Sequence, residues 1–319
     1  MKKHLLCLTV DTDPDGLSGK VTNRRSLKFD GLSALRDLPD QLSSLEKTCG
    51  TIPVTWFVRA DGQLESILGS VTYLLETYQD LWLKAQSSGH ELGWHPHLYR
   101  QQRADDDATM ITDPAEASDE IERLWSRLFP VLSATSFRNG EGWHSPQTYA
   151  TVEHLGFLCD STALPGRRGV DGHPMNWLNA PNQPYFPGPN DLCVAGPQRA
   201  LVELPMNTWQ LQGPHDATPR TRYMNPAVHP QLLADSLKGW ADTFETLASD
   251  LCVWVLIFHP DEVFSTFAPD ALYARSLDTL CANLASMSDS VRRLGHEFEW
   301  VTVSRAAQQW RDHHRQLIA

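Results

Sequence analysis

Leu5-Leu6-Cys7-Leu8-Thr9-Val10-Asp11-Thr12-Asp13 is the stretch that decides the fold: an apolar, partly β-branched run that stops on two carboxylates. Its apolar part ends at Asp11 after about six residues, too short for an export signal. It reads instead as a first strand, 4–11. Outward from it, short β-rich runs at 52–58, 91–97, 134–138, 156–160, 201–204, 252–259 and 297–303 alternate with helix-length amphipathic segments. That alternation predicts an α/β fold, an irregular (β/α) barrel of about seven to eight mostly parallel strands. Such barrels run to about 250 residues or more as one domain, so residues 1–319 are expected to form a single catalytic domain.

The punctuation between strands agrees with this frame. Asp113-Pro114, Ser145-Pro146 and Asn225-Pro226 each set a capping side chain before a proline that the first helical turn tolerates. Gly50, Gly89, Gly156 and Gly295 stand where a helix would stop and a strand begin. Two stretches are too irregular for elements, 161–198 with Trp177, Tyr185 and Phe186, and 205–224 with Trp209, His215 and Tyr223. Long aromatic loops of this kind are expected as lids or binding walls.

Composition narrows the function. A net charge of −12 offers no broad basic surface for phosphate backbones, so nucleic acid is not expected as a partner. No run approaches the roughly 18 apolar residues of a membrane span. The cysteines at 7, 49, 159, 193, 252 and 281 are scattered without a C-x-x-C spacing, which reads as reduced thiols and a cytoplasmic protein. Nothing in the sequence speaks to oligomeric state.

Sites in parallel sheets and barrels lie beyond the carboxyl ends of the strands. Four such ends are unusual here: Asp11-Thr12-Asp13, His95-Pro96-His97, Arg138-Asn139-Gly140 and His259-Pro260-Asp261-Glu262. Strand alternation puts Asp11 with Asp13, and His95 with His97, on one face. A carboxylate and two imidazoles converging from adjacent strands make a three-ligand site for a divalent cation, with zinc favoured by the nitrogen donors. Two carboxylates so close repel, and Arg138, ending an apolar strand, is placed to compensate one of them.

In order along the chain, these segments resemble the motifs of the polysaccharide deacetylase superfamily, which includes carbohydrate esterase family four. Thr9-Val10-Asp11-Thr12-Asp13 is similar to its acidic pair, Gly89-His90-Glu91-Leu92-Gly93-Trp94-His95 to its histidine motif, and Phe137-Arg138-Asn139-Gly140-Glu141-Gly142-Trp143 to its arginine motif in a glycine-containing form. Leu155-Gly156-Phe157-Leu158-Cys159-Asp160-Ser161-Thr162 and Val255-Leu256-Ile257-Phe258-His259-Pro260 resemble the remaining two. The resemblance implies Asp11 as catalytic base held by Arg138, Asp13 and His95 as metal ligands, and His259 as general acid. It departs at one point: the family's second ligand histidine falls where this chain has Tyr99, and His97 is the nearest replacement imidazole. Substrate contacts are expected from Trp143, Asp160, Trp177 and Tyr99, and an oxyanion donor from a backbone N–H in the loop after Arg138.

The activity so implied is metal-dependent hydrolysis of an amide on a carbohydrate, a sugar precursor or a polysaccharide intermediate, as in surface-polysaccharide biosynthesis. The same residues suit an allantoinase-like hydrolase of cyclic amides. Tyr99 in place of a histidine also keeps open a non-catalytic carbohydrate-binding protein on a degenerate scaffold.

Overall fold

A computed structural model describes residues 2–16, 27–101, 108–264 and 272–318. Its main sheet is built from β1 (Lys3–Asp11), β2 (Val54–Arg59), β3 (Glu91–His95), β4 (Ser136–Phe137), β5 (Cys159–Asp160), β6 (Val202–Glu203), β7 (Leu251–Phe258) and β8 (Glu297–Trp300). All ladders are parallel, in the order β7-β1-β2-β3-β4-β5-β6. β8 joins β1 over its first residues, Leu6 pairing Trp300, and β2 joins it from Leu8 opposite Val54 onward. The curled sheet forms a half-barrel, and beyond β6 the chain returns to β7 through a single parallel bridge, Met206 to Val255. This is the irregular, barrel-like α/β architecture the strand pattern predicts.

Strand ends follow local chemistry. β3 stops at His95 because Pro96 has no N–H to offer the ladder. Glycines 50, 89, 156 and 295 take positive φ of 74°, 80°, 89° and 74° at the helix-to-strand turns. Asp113 and Ser145 cap their helices, Pro114–Leu128 and Pro146–His154, from the side chain. Asn225 does not cap one. Its Oδ1 accepts from the Ala227 N–H in a local turn, and the helix starts at Pro230 instead.

Alternation along β1 sends Leu6, Leu8 and Val10 into the layer under the helices, and Leu5 and Cys7 into the barrel interior. There they meet Val202, Leu204, Val253 and Val255, and Ala306, Ala307 and Trp310 of the helix Val303–Ile318 close the amino-terminal end. Continuing that interior row, Thr9 and Asp11 stand at the opposite, carboxyl end. Stretch 205–224 is more regular than its composition suggests, since Thr208–Leu211 and Arg220–Tyr223 pair as an antiparallel hairpin. All six cysteines are free, and no helix among the described residues is long and apolar enough to cross a membrane.

Candidate active site

The carboxyl ends of β1, β3, β4 and β7 open on a cavity of about 540 Å³. Asp11, Asp13, His95, His97, Arg138 and His259 all line it. One ligand atom each from Asp13, His95 and His97 falls within 4.8 Å of the others. His97 Nε2 lies 2.9 Å from Asp13 Oδ1 and 3.2 Å from His95 Nε2, and His95 Nε2 lies 3.8 Å from Asp13 Oδ2. Donors about 2.0–2.2 Å from a common ion stand roughly 3–4 Å from one another, so these spacings fit a shared cation.

The surroundings orient the donors. His95 Nδ1 donates to the Arg138 carbonyl at 2.9 Å, which leaves its Nε2 lone pair toward the cluster. His97 Nδ1 faces Glu141 Oε1 at 3.3 Å, a carboxylate behind the imidazole. Asp13 is buried, which on its own raises a carboxyl, yet His97 and His95 hold it well below the usual carboxylate range. Burial pulls His97 down, but Asp13 and Glu141 together raise it despite the opposing charge of Arg59. The position thus calls for positive charge, which a divalent cation supplies once the imidazole has lost its proton.

His97 fits there because Gly140 has no side chain. A Cβ on Gly140 would stand 2.5 Å from His97 Cδ2 and 2.6 Å from its Cγ. The glycine-containing arginine motif and the histidine at 97 are therefore one geometric solution. Tyr99, where the family's histidine falls, stacks on His97 with ring centroids 6.0 Å apart and donates its hydroxyl to Glu141 Oε1.

Asp11 is clamped by a wholly buried arginine. Arg138 Nη1 donates to Asp11 Oδ1 at 2.6 Å and to Thr9 Oγ1 at 2.9 Å, while Nε and Nη2 donate to the carbonyl and hydroxyl of Ser161. Its guanidinium lies 4.0 Å over the Phe57 ring. Across the cavity, His259 Nε2 is 3.7 Å from Asp13 Oδ2 and Nδ1 is 3.4 Å from Glu262 Oε1. Burial lowers an imidazole, but Glu262, then Asp13 and Asp11, outweigh it and push His259 up to about 10. Tyr223 and Asn225 donate to the two Glu262 oxygens and hold that carboxylate in place.

Some expected contacts lie elsewhere. Trp143, Asp160 and Trp177 are buried behind the cavity wall and do not line it. Trp177 Nε1 donates to the Gly142 carbonyl at 2.6 Å, and the Trp143 backbone carbonyl accepts from Asn139 Nδ2, so the Trp177 indole and the Trp143 main chain brace the loop after Arg138. Asp160 accepts from the Thr162 N–H at 2.8 Å and lies 3.0 Å from His144 Nε2, which orders the segment that carries Ser161. Tyr99, the fourth expected substrate contact, likewise does not line the cavity and stands behind His97, whereas Glu141, Arg167, Met175 and Tyr223 do face it. Nor is the oxyanion donor Asn139 or Gly140: their N–H groups already donate to Thr162 Oγ1 and to the Pro96 carbonyl.

Sequence reasoning misses Arg59 and Asp61. Arg59, fully buried, donates Nε to Asp61 Oδ2 at 2.7 Å and reaches Asp13 Oδ1 at 3.5 Å, and Asp61 Oδ2 accepts the His97 N–H at 3.1 Å. Val58-Arg59-Ala60-Asp61 is a polar strand end like the other four, one residue past the expected end of its strand.

No family model and no curated protein sequence matches this chain. Among solved structures it is similar to an assigned polysaccharide deacetylase from Mycobacterium smegmatis, at a TM-score of 0.57 and 17% identity over 98% of this chain and 92% of that one. It is also similar to an assigned glycoside hydrolase/deacetylase from Parabacteroides distasonis, at a TM-score of 0.58 and 15% identity over 98% of this chain and 71% of that one. With identities this low the likeness speaks for the fold, and the chain has the polysaccharide deacetylase fold.

Proposed function

We propose that this chain is a metal-dependent deacylase that hydrolyses an amide on the nitrogen of a carbohydrate or sugar precursor. One observation carries the reading: Asp13, His95 and His97 bring their ligand atoms within 4.8 Å of one another, with Asp11 beside His95 and His259 beside Asp13. When bound there, a divalent cation, zinc by the imidazole-rich donor set, supplies Lewis-acid polarisation of a carbonyl and makes a water more acidic.

The rest falls to the protein. Asp11, oriented by Arg138 at 2.6 Å, takes a proton from the attacking water. His259, kept protonated by Glu262, gives its proton to the departing nitrogen. Leu164, Met175, Met206 and Ile257 give the cavity apolar surface for the acyl group and the sugar face. A volume of about 540 Å³ lies in the small-molecule range of about 300–1,000 Å³. With residues of 161–198 among its walls, it favours one sugar unit or a short saccharide over a long polymer. The same walls suit a small cyclic amide, the second reading. A cytoplasmic role on a surface-polysaccharide precursor belongs to the proposal and rests on the scattered cysteines of the sequence.

The test is metal content together with hydrolysis of N-acetylglucosamine and short N-acetylated saccharides by zinc-loaded protein. Asp13→Ala and His95→Ala are expected to lose both the metal and the activity. Full metal occupancy in both variants would sink the assignment. Absence of stoichiometric metal in the wild type would favour a carbohydrate-binding protein without catalysis.

A further inference from the structure

Almost every basic side chain facing the cavity has a carboxylate beside it. Arg138 is paired with Asp11, His95 and His97 with Asp13, and His259 with Glu262, while His173 Nε2 is 3.9 Å from Glu141 Oε2. Arg168 is exposed to solvent. Arg167 is different: it lines the cavity, is half-buried, and among the described residues has no carboxylate beside it. Its electrostatic neighbours are Tyr223, Tyr273 and Arg222, and Arg222 is already paired with Asp216 at 2.8 Å. Withdrawing a guanidinium from water without a partner costs free energy, so a position of this kind is made for an anion that arrives with the ligand.

The backbone around it is fixed. Gly166 N–H donates to the Trp177 carbonyl at 2.9 Å, Trp177 N–H donates back to the Arg167 carbonyl at 2.8 Å, and Arg167 N–H donates to Leu164 at 3.0 Å. Gly166 adopts a φ of 77°, which a residue with a Cβ would resist. The Trp177 indole in turn is tied to Gly142 beside the site. Arg167 is thus presented from a braced wall, with its fork free to take two oxygens at once. Tyr223 gives the direction: its ring is 6.0 Å from that of His259, so Arg167 stands on the wall shared with the residue that faces the departing nitrogen.

We propose that the substrate is an anionic amino-sugar derivative, its carboxylate or phosphate carried on the amine-bearing fragment and bound by Arg167. This rests on the deacylase reading and narrows its substrate class. The shared chemistry is a pair of anionic oxygens, and two probes separate the sources: N-acetylglucosamine 1-phosphate and 2-acetamido-2-deoxyglucuronic acid, each compared with neutral N-acetylglucosamine. On zinc-loaded full-length protein, kcat/KM and calorimetric affinity are measured for the wild type, Arg167→Met and Arg167→Lys. Charge-assisted bidentate contacts predict that the wild type prefers one anionic probe by about 10- to 100-fold in both readouts. Arg167→Met, which keeps the aliphatic stem, should reduce that ratio to near one, and Arg167→Lys should recover part of it. A wild type that treats the three probes alike, or a ratio unchanged in Arg167→Met, overturns the anionic subsite and leaves deacylation standing. Anion-selective binding that vanishes in Arg167→Met, with none of the probes hydrolysed, upholds the subsite and overturns deacylation. Neither binding nor hydrolysis of any probe overturns both.

Discussion

At the amino-terminal rim of the sheet, His4 and His90 each accept a hydrogen bond from an indole, Trp254 Nε1 to His4 Nδ1 at 2.9 Å and Trp56 Nε1 to His90 Nδ1 at 3.1 Å. At the carboxyl rim, His95, His97 and His259 face Asp11, Asp13 and Glu262 across 2.9 to 3.8 Å. All five imidazoles are largely buried, so burial alone does not separate them. Neighbours do. Aromatic surroundings leave desolvation unopposed and bring His4 and His90 down to about 4, whereas carboxylates overcome it and carry His259 up to about 10. The lower rim uses histidine as a neutral acceptor in a core, whereas at the upper rim carboxylates favour the charged form of His97 and His259.

The largest effect that tests this contrast is on His259. His259→Ala should lower kcat by about 10²- to 10⁴-fold, the usual worth of a positioned proton donor, with bound metal unchanged. Because the protonated form is the active one and its folded pKa lies above 6.5, activity should persist through neutrality and fall only as pH rises past the raised value. An alkaline limb near 6.5, or wild-type kcat in the variant, would remove His259 from the reaction. Next in size is Gly140→Ala. The added methyl meets the His97 ring at 2.5 Å, so the imidazole must leave its place. Zinc affinity should drop by about 10- to 100-fold, as when a ligand loses its orientation, and competition with a chelator reads it directly. Unchanged affinity would mean that His97 is not a ligand and that the upper rim holds its cation some other way.

How far these roles can be read before folding depends on the signal each residue leaves. Asp11, Asp13, His95 and His259 are legible because each breaks an apolar run at its carboxyl end, and parallel barrels put their chemistry at that end. His97 is legible from alternation, although β3 stops two residues before it, because Pro96 keeps the chain extended. Arg59 leaves a weaker mark: it ends an apolar strand as Arg138 does, but no acidic pair or histidine stands at that end, and only the fold shows it wholly buried against Asp61 and Asp13. Trp143 and Trp177 mislead in the other direction. A loop indole suits a substrate wall and a structural wedge equally well, and here burial of both rings and the bond from Trp177 Nε1 to the Gly142 carbonyl decide for the wedge. Asn225-Pro226 fails as a helix start since its amide side chain is spent on an Asx turn and on Glu262.

The smallest expected effect lies at the lower rim, where it separates the two uses of histidine most cleanly. His90 is held near 4 in the fold, mainly by burial, against an ordinary 6.5. Its folded pKa is the lower one, so the unfolded chain binds the extra proton between those values, and stability rises with pH across that window. The contribution is complete above about pH 6.5 and is lost as pH falls toward 4. His90→Gln keeps an oxygen acceptor for the Trp56 indole but cannot take up a proton. Urea unfolding at pH 7.5 and pH 5 should show the wild type losing more stability on acidification than the variant, by on the order of 1 kcal/mol, while metal binding and turnover at pH 7.5 stay at wild-type values. Equal losses in the two proteins would mean that His90 already carries its proton in the fold, and the neutral character assigned to the lower rim would fail with it.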